Sequence, residues 1–236
     1  MGLNASSQII WGYGHFPPSI YAQENGKPQG PFADIVKNIF EHAEIEYQAV
    51  LLPNRRARKA INDGSVVFAI SPLSSLDNPD NFYISPVVVA KIDLRVYWIG
   101  NQKAVTQAQD LNLQSVILIS SFNYSGLRNY VENLDNNVTV AVNVEDHQRA
   151  LLALSVKRAT YMLGYSAPVK LMQLEMNIQD LHSYPLQQTN MYIVINKSVK
   201  NSRQIMDKLE ASYAAIYLNN LNSMYGLHHP TGVAWK

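Results

Sequence analysis

Four cationic side chains fall within five consecutive residues, and they are the first group in the sequence that could do chemistry. If this segment is a helix, Arg55, Arg58 and Lys59 share one face of it. We expect that face to be solvated, because the opposite face carries the apolar residues that the helix must bury. Arg56 lies in the first turn after a strand, where it can reach a ligand or anchor the wall of a cleft. Arg56 is therefore a candidate ligand-binding residue.

Most signatures of catalysis are absent from the sequence. The chain has no cysteine, which excludes disulfides, thiol catalysis and thiolate metal sites. It has no Gly-x-Ser-x-Gly motif, no metal-ligand cluster and no Gly-rich phosphate loop, so the sequence predicts no cofactor. His228 and His229 are adjacent, but a metal site needs further ligands.

The composition is typical of a globular protein with a packed core. Of the 236 residues, 47% are hydrophobic and 16% are charged, and the formal net charge is +1. A near-neutral chain lacks the clustered basic excess that nucleic-acid binding requires. No apolar run approaches the ~20 residues of a membrane span, and the start has no signal-peptide pattern. We expect a secreted protein from which a leader was removed.

The first half of the sequence predicts an alternation of strands and helices. Strands are expected at 8–14, 46–52 and 66–70, separated by helices at 32–45 and 54–63. Gly64 directly follows the second helix and is expected to end it. A β-α-β-α-β order implies parallel strands with helical crossovers.

The second half repeats this alternation after a long strand at 93–100. Further strands are expected at 115–120, 138–142, 159–163 and 191–196. Helices are expected near 125–134, 145–156 and 167–176, and two more helical stretches follow from residue 202. We therefore predict an α/β protein with two lobes, and a ligand site where loops leave the carboxyl ends of the strands.

Several short motifs occur in a characteristic order. They are Phe-Pro-Pro at 16–18, Asn-Gly at 25–26, Gly-Pro-Phe-Ala-Asp-Ile at 30–35, Pro-Asn-Arg-Arg-Ala at 53–57 and Ser-Pro at 85–86. Segments 120–131 and 157–169 of the second half add a Ser/Tyr-containing turn and a Gly-Tyr-Ser-Ala-Pro sequence. Together, over about residues 8–226, these motifs resemble the family 3 periplasmic solute-binding proteins, the amino-acid-binding type of ABC-transport receptor.

The resemblance implies a type II periplasmic-binding fold. Such a fold has two α/β lobes, each a mixed, mainly parallel sheet flanked by helices, which two hinge strands join. Lobe one would comprise 1–97 plus 194–236, and lobe two 98–193. The segments 94–100 and 190–196 would be the hinge strands.

The sequence departs from this family at both charged anchors of an amino-acid ligand. In amino-acid receptors of the family, an Arg clamps the ligand carboxylate, and an Asp of lobe two binds the ligand ammonium. The resemblance places Asp77 or Asn78 at the position of that Arg, and Tyr165 at the position of that Asp. A charged ligand that is buried without partners is costly, so an ordinary α-amino acid is not the expected ligand.

The other residues expected near the cleft are aromatic or carry hydroxyl or amide groups. Aromatic rings offer flat apolar area and can attract cations over their faces, while hydroxyls and amides orient polar solutes. This set favours a neutral, aromatic or cationic small molecule, or a short peptide fragment. Besides Arg56, the candidate ligand-binding residues are Tyr13, Phe16, Ser71, Ser74, Ser120, Phe122, Asn123, Tyr124 and Tyr165.

Three functions are compatible with this resemblance. The first is a non-catalytic periplasmic receptor, expected to be a monomer, that closes on a solute and delivers it to an ABC permease. The second is a sensor domain of a signalling protein, whose cleft would look the same. The third is an enzyme similar to cyclohexadienyl dehydratases, which needs a placed acid or base. The expected cleft loops hold few acids, namely Asp77, Glu145 and Asp146, so the enzyme is disfavoured.

Overall fold

Strands and helices alternate along the chain in a computed structural model that describes residues 9–120 and 122–218. The strands are β1 (Ile9–Tyr13), β2 (Tyr21–Ala22), β3 (Pro28–Gln29), β4 (Tyr47–Leu51), β5 (Phe68–Ser71), β6 (Phe82–Ile84), β7 (Ala90–Ile99), β8 (Ser115–Ile119), β9 (Thr139–Val144), β10 (Tyr161–Tyr165) and β11 (Leu181–Asn196). The helices are α1 (Pro31–His42), α2 (Asn54–Asp63), α3 (Leu127–Glu132), α4 (His147–Ser155), α5 (Ser166–Glu175) and α6 (Ser202–Tyr213). The predicted continuation of the C-terminal helices beyond residue 218, and the pair His228 and His229, lie outside the described residues.

The main sheet joins two parallel sets of strands through two antiparallel strands. Its order is β4-β1-β5-β11-β7-β10-β8-β9, and β6 also pairs with β11. The strand β1 is parallel to β4 and β5, and β8 is parallel to β9 and β10. The two central strands, β7 and β11, run antiparallel to each other and to their outer neighbours. We call the half with β1, β4 and β5 lobe one, and the half with β8, β9 and β10 lobe two.

The prediction for the last strand is too short. The sequence predicts a strand at 191–196, whereas β11 begins at Leu181 and pairs with β7 from Leu181 opposite Ile99 to Met191 opposite Ala90. Its first ten residues are mostly polar and include Pro185, where the register shifts. Their strand conformation depends on hydrogen bonds to β7, and the local sequence pattern does not predict this pairing.

Each lobe has its own hydrophobic core. Trp11, Phe40 and Phe68 are among the buried residues of lobe one, and Ile117, Leu151 and Leu163 are among those of lobe two. The central strands supply both cores: β7 contributes residues 94 and 96–98 to the core of lobe two, and β11 contributes Met191 and two isoleucines to that of lobe one. The exact lobe boundaries, expected at 97 and 193, stay a prediction.

The helices of lobe one form where the sequence predicts them. Val36, Ile39 and Phe40 are fully buried on one face of α1, as the apolar stripe indicates. The predicted bounds of α2 agree with the structure, and Gly64 ends this helix in the left-handed conformation, with φ of 81°. None of the helices in the described part of the chain is both long and apolar enough to cross a bilayer.

Gly30 fixes the loop between β1 and α1 against the start of that helix. Its backbone has φ of 99° and ψ of 170°, a region that is essentially restricted to glycine. A Cβ atom at this position would meet the carbonyl oxygens of Pro18 and Ser19, the latter at 2.8 Å. The residues before the helix are thus held by a contact that only glycine permits.

Replacing Gly30 with alanine is expected to lower the free energy of unfolding by about 2–4 kcal/mol, because a strained backbone and a clash with backbone atoms add together. Gly26→Ala is the matched control: Gly26 also has positive φ, 77°, but open space surrounds the added Cβ. It should cost only about 1–2 kcal/mol. Urea denaturation of both variants measures the difference, and equal losses would contradict the importance of the close contact.

Candidate ligand-binding site

Phe16 lies on a tight turn of lobe one that follows β1. Phe16 and Ile20 exchange two backbone hydrogen bonds, of 2.7 and 3.0 Å, around a cis Pro17–Pro18 peptide bond. The ring of Phe16 packs at the edge of the core of lobe one and stays partly exposed. This turn therefore carries an aromatic side chain from lobe one toward lobe two.

Three rings of lobe two contact the ring of Phe16. Phe122 follows β8, His147 is the first residue of α4 after β9, and Tyr165 ends β10. All three lie at the carboxyl ends of parallel strands, where α/β proteins bind their ligands. We call Phe16, Phe122, His147 and Tyr165 the aromatic cluster.

The contacts within the aromatic cluster have the geometry that aromatic rings prefer. The ring centroid of Phe16 is 5.7 Å from that of Phe122, 5.2 Å from that of Tyr165 and 6.1 Å from that of His147. The interplanar angles are 87°, 78° and 74°, respectively, so all three contacts are close to perpendicular. Such an aromatic pair contributes about 0.5–1.5 kcal/mol beyond the burial of apolar area. The cluster thus stabilises the approach of the two lobes.

His147 is buried within the cluster in its neutral form. Only 6% of its surface is exposed, and burial lowers the pKa of its imidazole to about 4. Its Nε2 atom accepts a hydrogen bond of 3.3 Å from the backbone N–H of Tyr165. Because Nε2 is the acceptor, the ring proton of the neutral form lies on Nδ1.

Tyr165 of the cluster and its neighbour Tyr124 are also uncharged at neutral pH. Burial raises the pKa of the Tyr165 hydroxyl to about 12 and raises the pKa of Tyr124 further. Tyr124 is completely buried, and its hydroxyl oxygen accepts a hydrogen bond of 2.6 Å from the backbone N–H of Ile119. Tyr124 therefore supports the cluster from the core, whereas Tyr165 is partly exposed at its surface.

Arg128 holds the backbone that carries Phe122. Its guanidinium donates to the carbonyl oxygen of Phe122 through Nε, at 2.7 Å, and to that of Ile119 through Nη2, at 2.6 Å. The remaining nitrogen, Nη1, pairs with Glu132 at 2.6 Å. With its donors engaged in this way, Arg128 positions the end of β8 and is not free to clamp a ligand.

Several candidate residues lie outside the aromatic cluster. Ser74, Ser120, Asn123 and Arg56 are exposed. Ser120 donates to the side chain of Asn143 at 3.1 Å, and the side chain of Asn123 accepts from the backbone of Gly126 at 3.2 Å. Their roles as ligand-binding residues stay predictions.

Two further candidates are buried in lobe one. Tyr13 is 5% exposed, and its hydroxyl donates to the carbonyl of Gly26 at 3.4 Å. Ser71 is 8% exposed and donates to the carbonyl of Pro72 at 3.3 Å. Both side chains are therefore engaged with the protein itself, and their contact with a ligand also stays a prediction.

The other cations of α2 lie on its outer surface, as expected. Arg55, Arg58 and Lys59 are exposed and line a shallow depression of about 430 Å³. Arg58 pairs with Asp77 at 2.9 Å. Asp77, one of the two residues expected at the position of the ligand-binding Arg, thus forms an ion pair with this surface.

Sequence reasoning missed His147 and Arg128. The available signal for His147 was its place directly after Asp146, whose side chain caps α4 by accepting from the backbone N–H of Arg149 at 2.8 Å. A residue at that point follows the carboxyl end of a parallel strand, where a ligand site is expected. Its burial could not be foreseen, because the contacts that bury it come from residues far away in the sequence.

Replacing His147 with glutamine is expected to change how stability depends on pH. In the wild type, the unfolded His147 binds a proton below about pH 6.5, whereas the folded imidazole does so only near pH 4. The unfolded state therefore binds more protons as the pH falls, and this residue removes up to about 3 kcal/mol of stability between pH 7 and pH 4. Glutamine cannot titrate, so this part of the loss should disappear in the variant.

Urea denaturation between pH 7 and pH 4 measures this effect as the difference between wild type and variant. The exposed His15 provides a matched control variant, His15→Gln, for the loss of an imidazole. If the free energy of unfolding falls with pH by the same amount in the wild type and in His147→Gln, the buried imidazole is not the cause of the pH dependence.

Comparison with known proteins supports the architecture. No protein-family model and no curated protein sequence matches the chain. Among solved structures, a histidine kinase sensor domain with similarity to periplasmic binding proteins aligns with a TM-score of 0.69 and 14% identity, over 92% of this chain and 93% of that one. The GluR0 ligand-binding core in complex with L-glutamate aligns with a TM-score of 0.68 and 11% identity, over 93% and 96%.

A substrate-binding protein of an ABC uptake transporter from Streptococcus pneumoniae, with bound histidine, is similar to the same extent. Its TM-score is 0.67 and its identity 16%, over 93% of each chain. At such low identity these likenesses establish the fold alone. The protein therefore has the two-lobe fold of periplasmic binding proteins, with two parallel sets of strands joined by the antiparallel strands β7 and β11.

Proposed function

We propose that this protein is a non-catalytic, extracytoplasmic solute receptor of the family 3 type, which captures a small molecule between its lobes by closing at β7 and β11. The observation that carries this proposal is the aromatic cluster, in which Phe16 of lobe one meets three rings of lobe two at 5.2–6.1 Å. A solute that contacts both sides favours the closed arrangement, because it binds that state better than the open one. Structures of the same fold bind amino acids or belong to a sensor, which agrees with this role.

The ligand that suits this site is a neutral, aromatic or cationic small molecule. The amino acids bound by the similar structures carry a charged carboxylate and a charged ammonium. Here Asp77 forms an ion pair with Arg58 on the surface of α2, and Tyr165 contributes a neutral hydroxyl. Burying both charges of an α-amino acid at this cluster would leave them without partners.

Catalysis is not part of the proposal. A general acid or base works best when its pKa is near the working pH. The titratable residues of the cluster have pKa values far from 7. Burial lowers the pKa of His147 to about 4 and raises the pKa of Tyr165 to about 12. At pH 7, His147 is therefore a weak base and Tyr165 a weak acid.

Delivery to an ABC permease is the role that we favour, with the receptor acting as a monomer in the periplasm. Sensing is the second candidate, and the observation behind it is the likeness to a histidine kinase sensor domain over 92% of the chain. Both roles use the same closure of two lobes over a ligand. They differ only in the membrane protein that recognises the closed form.

A thermal-shift panel tests whether the cleft binds solutes. Amino acids, polyamines, aromatic acids, nucleosides and small peptides are each added to the purified chain. A ligand present at about 100 times its dissociation constant adds about 2.7 kcal/mol to stability, which raises Tm by about 5–10 °C for a chain of this size. We expect the hits among neutral or cationic compounds.

Tyr165→Ala should weaken the binding of any such hit by at least about 10-fold, because one wall of the cluster is removed. Tyr130→Ala is the matched control: Tyr130 lies on α3, and its hydroxyl contacts Asn112, before the amino end of β8. A simple α-amino acid as the strongest hit, or unchanged affinity in Tyr165→Ala, would contradict the proposed site.

A further inference from the structure

Phe16 belongs to lobe one, but its partly exposed ring rests on three rings of lobe two. Its backbone is tied to Ile20, and its turn packs against Gly30, so the ring moves with lobe one. These rings belong to Phe122, Tyr165 and His147, which lie on the loops and strand ends of lobe two. When the lobes separate, the ring of Phe16 must leave, and the three rings of lobe two, which contact one another, then expose a shallow aromatic surface that we call the pocket.

The walls of this pocket select for an aromatic ring. All three meet the ring of Phe16 at 74–87°, the nearly perpendicular arrangement that aromatic pairs favour. Phe122 and Tyr165 also contact each other, with centroids 5.2 Å apart at 81°, and both lie within 6.2 Å of His147. The walls are thus already packed together and need no rearrangement to receive a flat ring.

The pocket offers no counter-charge for a cation. His147 is neutral, and its Nε2 atom is engaged with the backbone of Tyr165. The adjacent acid, Asp146, caps α4 and pairs with Arg149. Arg149 also pairs with Glu145 at 3.1 Å, so these neighbouring acids are balanced at the surface. A neutral ring is therefore buried here at a lower electrostatic cost than a cation.

We propose that Phe16 is a built-in occupant of this pocket, and that the solute of the receptor carries one uncharged six-membered aromatic ring that displaces it. This inference rests on the proposed function and names the class of its ligand. The displacement sets the affinity, because a pocket that is free for only a fraction of the time binds its ligand more weakly by that fraction. The built-in ring therefore excludes weak or non-aromatic solutes.

The test measures the binding of benzamide by isothermal titration calorimetry to the whole chain and to Phe16→Ala. Removing the competing ring is expected to tighten benzamide binding by at least about 10-fold. If Phe16 were an ordinary ligand contact, the same variant would bind benzamide more weakly. The two roles of Phe16 thus predict changes of opposite sign, and equal or weaker binding by Phe16→Ala overturns the inference.

Further variants locate the effect. Phe16→Leu, which keeps most of the apolar volume but has no flat ring, should shift the affinity in the same direction, and it replaces Phe16→Ala if that variant does not fold. Adding Phe122→Ala to Phe16→Ala should abolish the gain, since it removes a wall, whereas Tyr130→Ala should leave benzamide binding unchanged. A gain that survives the loss of Phe122 would contradict the pocket.

A second probe separates the ligand classes. Tetramethylammonium has no ring and carries a positive charge, so Phe16→Ala should not gain affinity for it. A gain for tetramethylammonium without one for benzamide would assign the pocket to cations and overturn the inference. If a compound of the panel binds the wild type through Tyr165, and Phe16→Ala weakens that binding, the receptor function is supported but the proposed displacement of Phe16 is wrong. If no compound binds the wild type or Phe16→Ala, both the receptor function and the displacement of Phe16 are contradicted.

Discussion

The antiparallel pairing of β7 with β11 is the constraint on which the rest of the structure depends. The two strands pair from Leu181 opposite Ile99 to Met191 opposite Ala90, and each then joins the parallel strands of one lobe. This ladder links two α/β units that have separate hydrophobic cores. The loops after β1, β8 and β9 and the end of β10 consequently meet in one place, although they are up to about 150 residues apart in the chain. A functional site at this meeting point can respond to the relative position of the lobes.

The site formed there is aromatic and electrically neutral. Phe16, Phe122 and Tyr165 supply rings, and burial keeps both His147 and Tyr165 uncharged at neutral pH. The charged side chains near the cluster are bonded to the protein itself: Arg128 donates to two backbone carbonyls, and Asp146 caps α4.

Much of the fold could be predicted because its signals are local. The bounds of α2 and its end at Gly64 follow from an apolar stripe and a residue that tolerates positive φ. The first half of β11 could not be predicted, because its polar residues adopt a strand only through their pairing with β7. For the site, the motif order brought Phe16, Phe122 and Tyr165 to attention, and the structure brings these three together. Tyr13 and Tyr124 were selected by the same reasoning, but their hydroxyls bond to the protein backbone.

By itself, the sequence determined the alternation of the longer strands and helices, the two-lobe α/β organisation and the absence of thiol chemistry. The family resemblance placed Asp77 or Asn78, and Tyr165, at the positions of the two charged anchors of an amino acid, and the expectation of a different ligand stays a prediction. Only the tertiary structure decided that His147 is buried and neutral, that Arg128 is committed to the backbone, and that Phe16 lies among rings of the other lobe. The physical reason is that periodicity and turn chemistry act between near neighbours, whereas desolvation and ring packing depend on residues that meet only after folding.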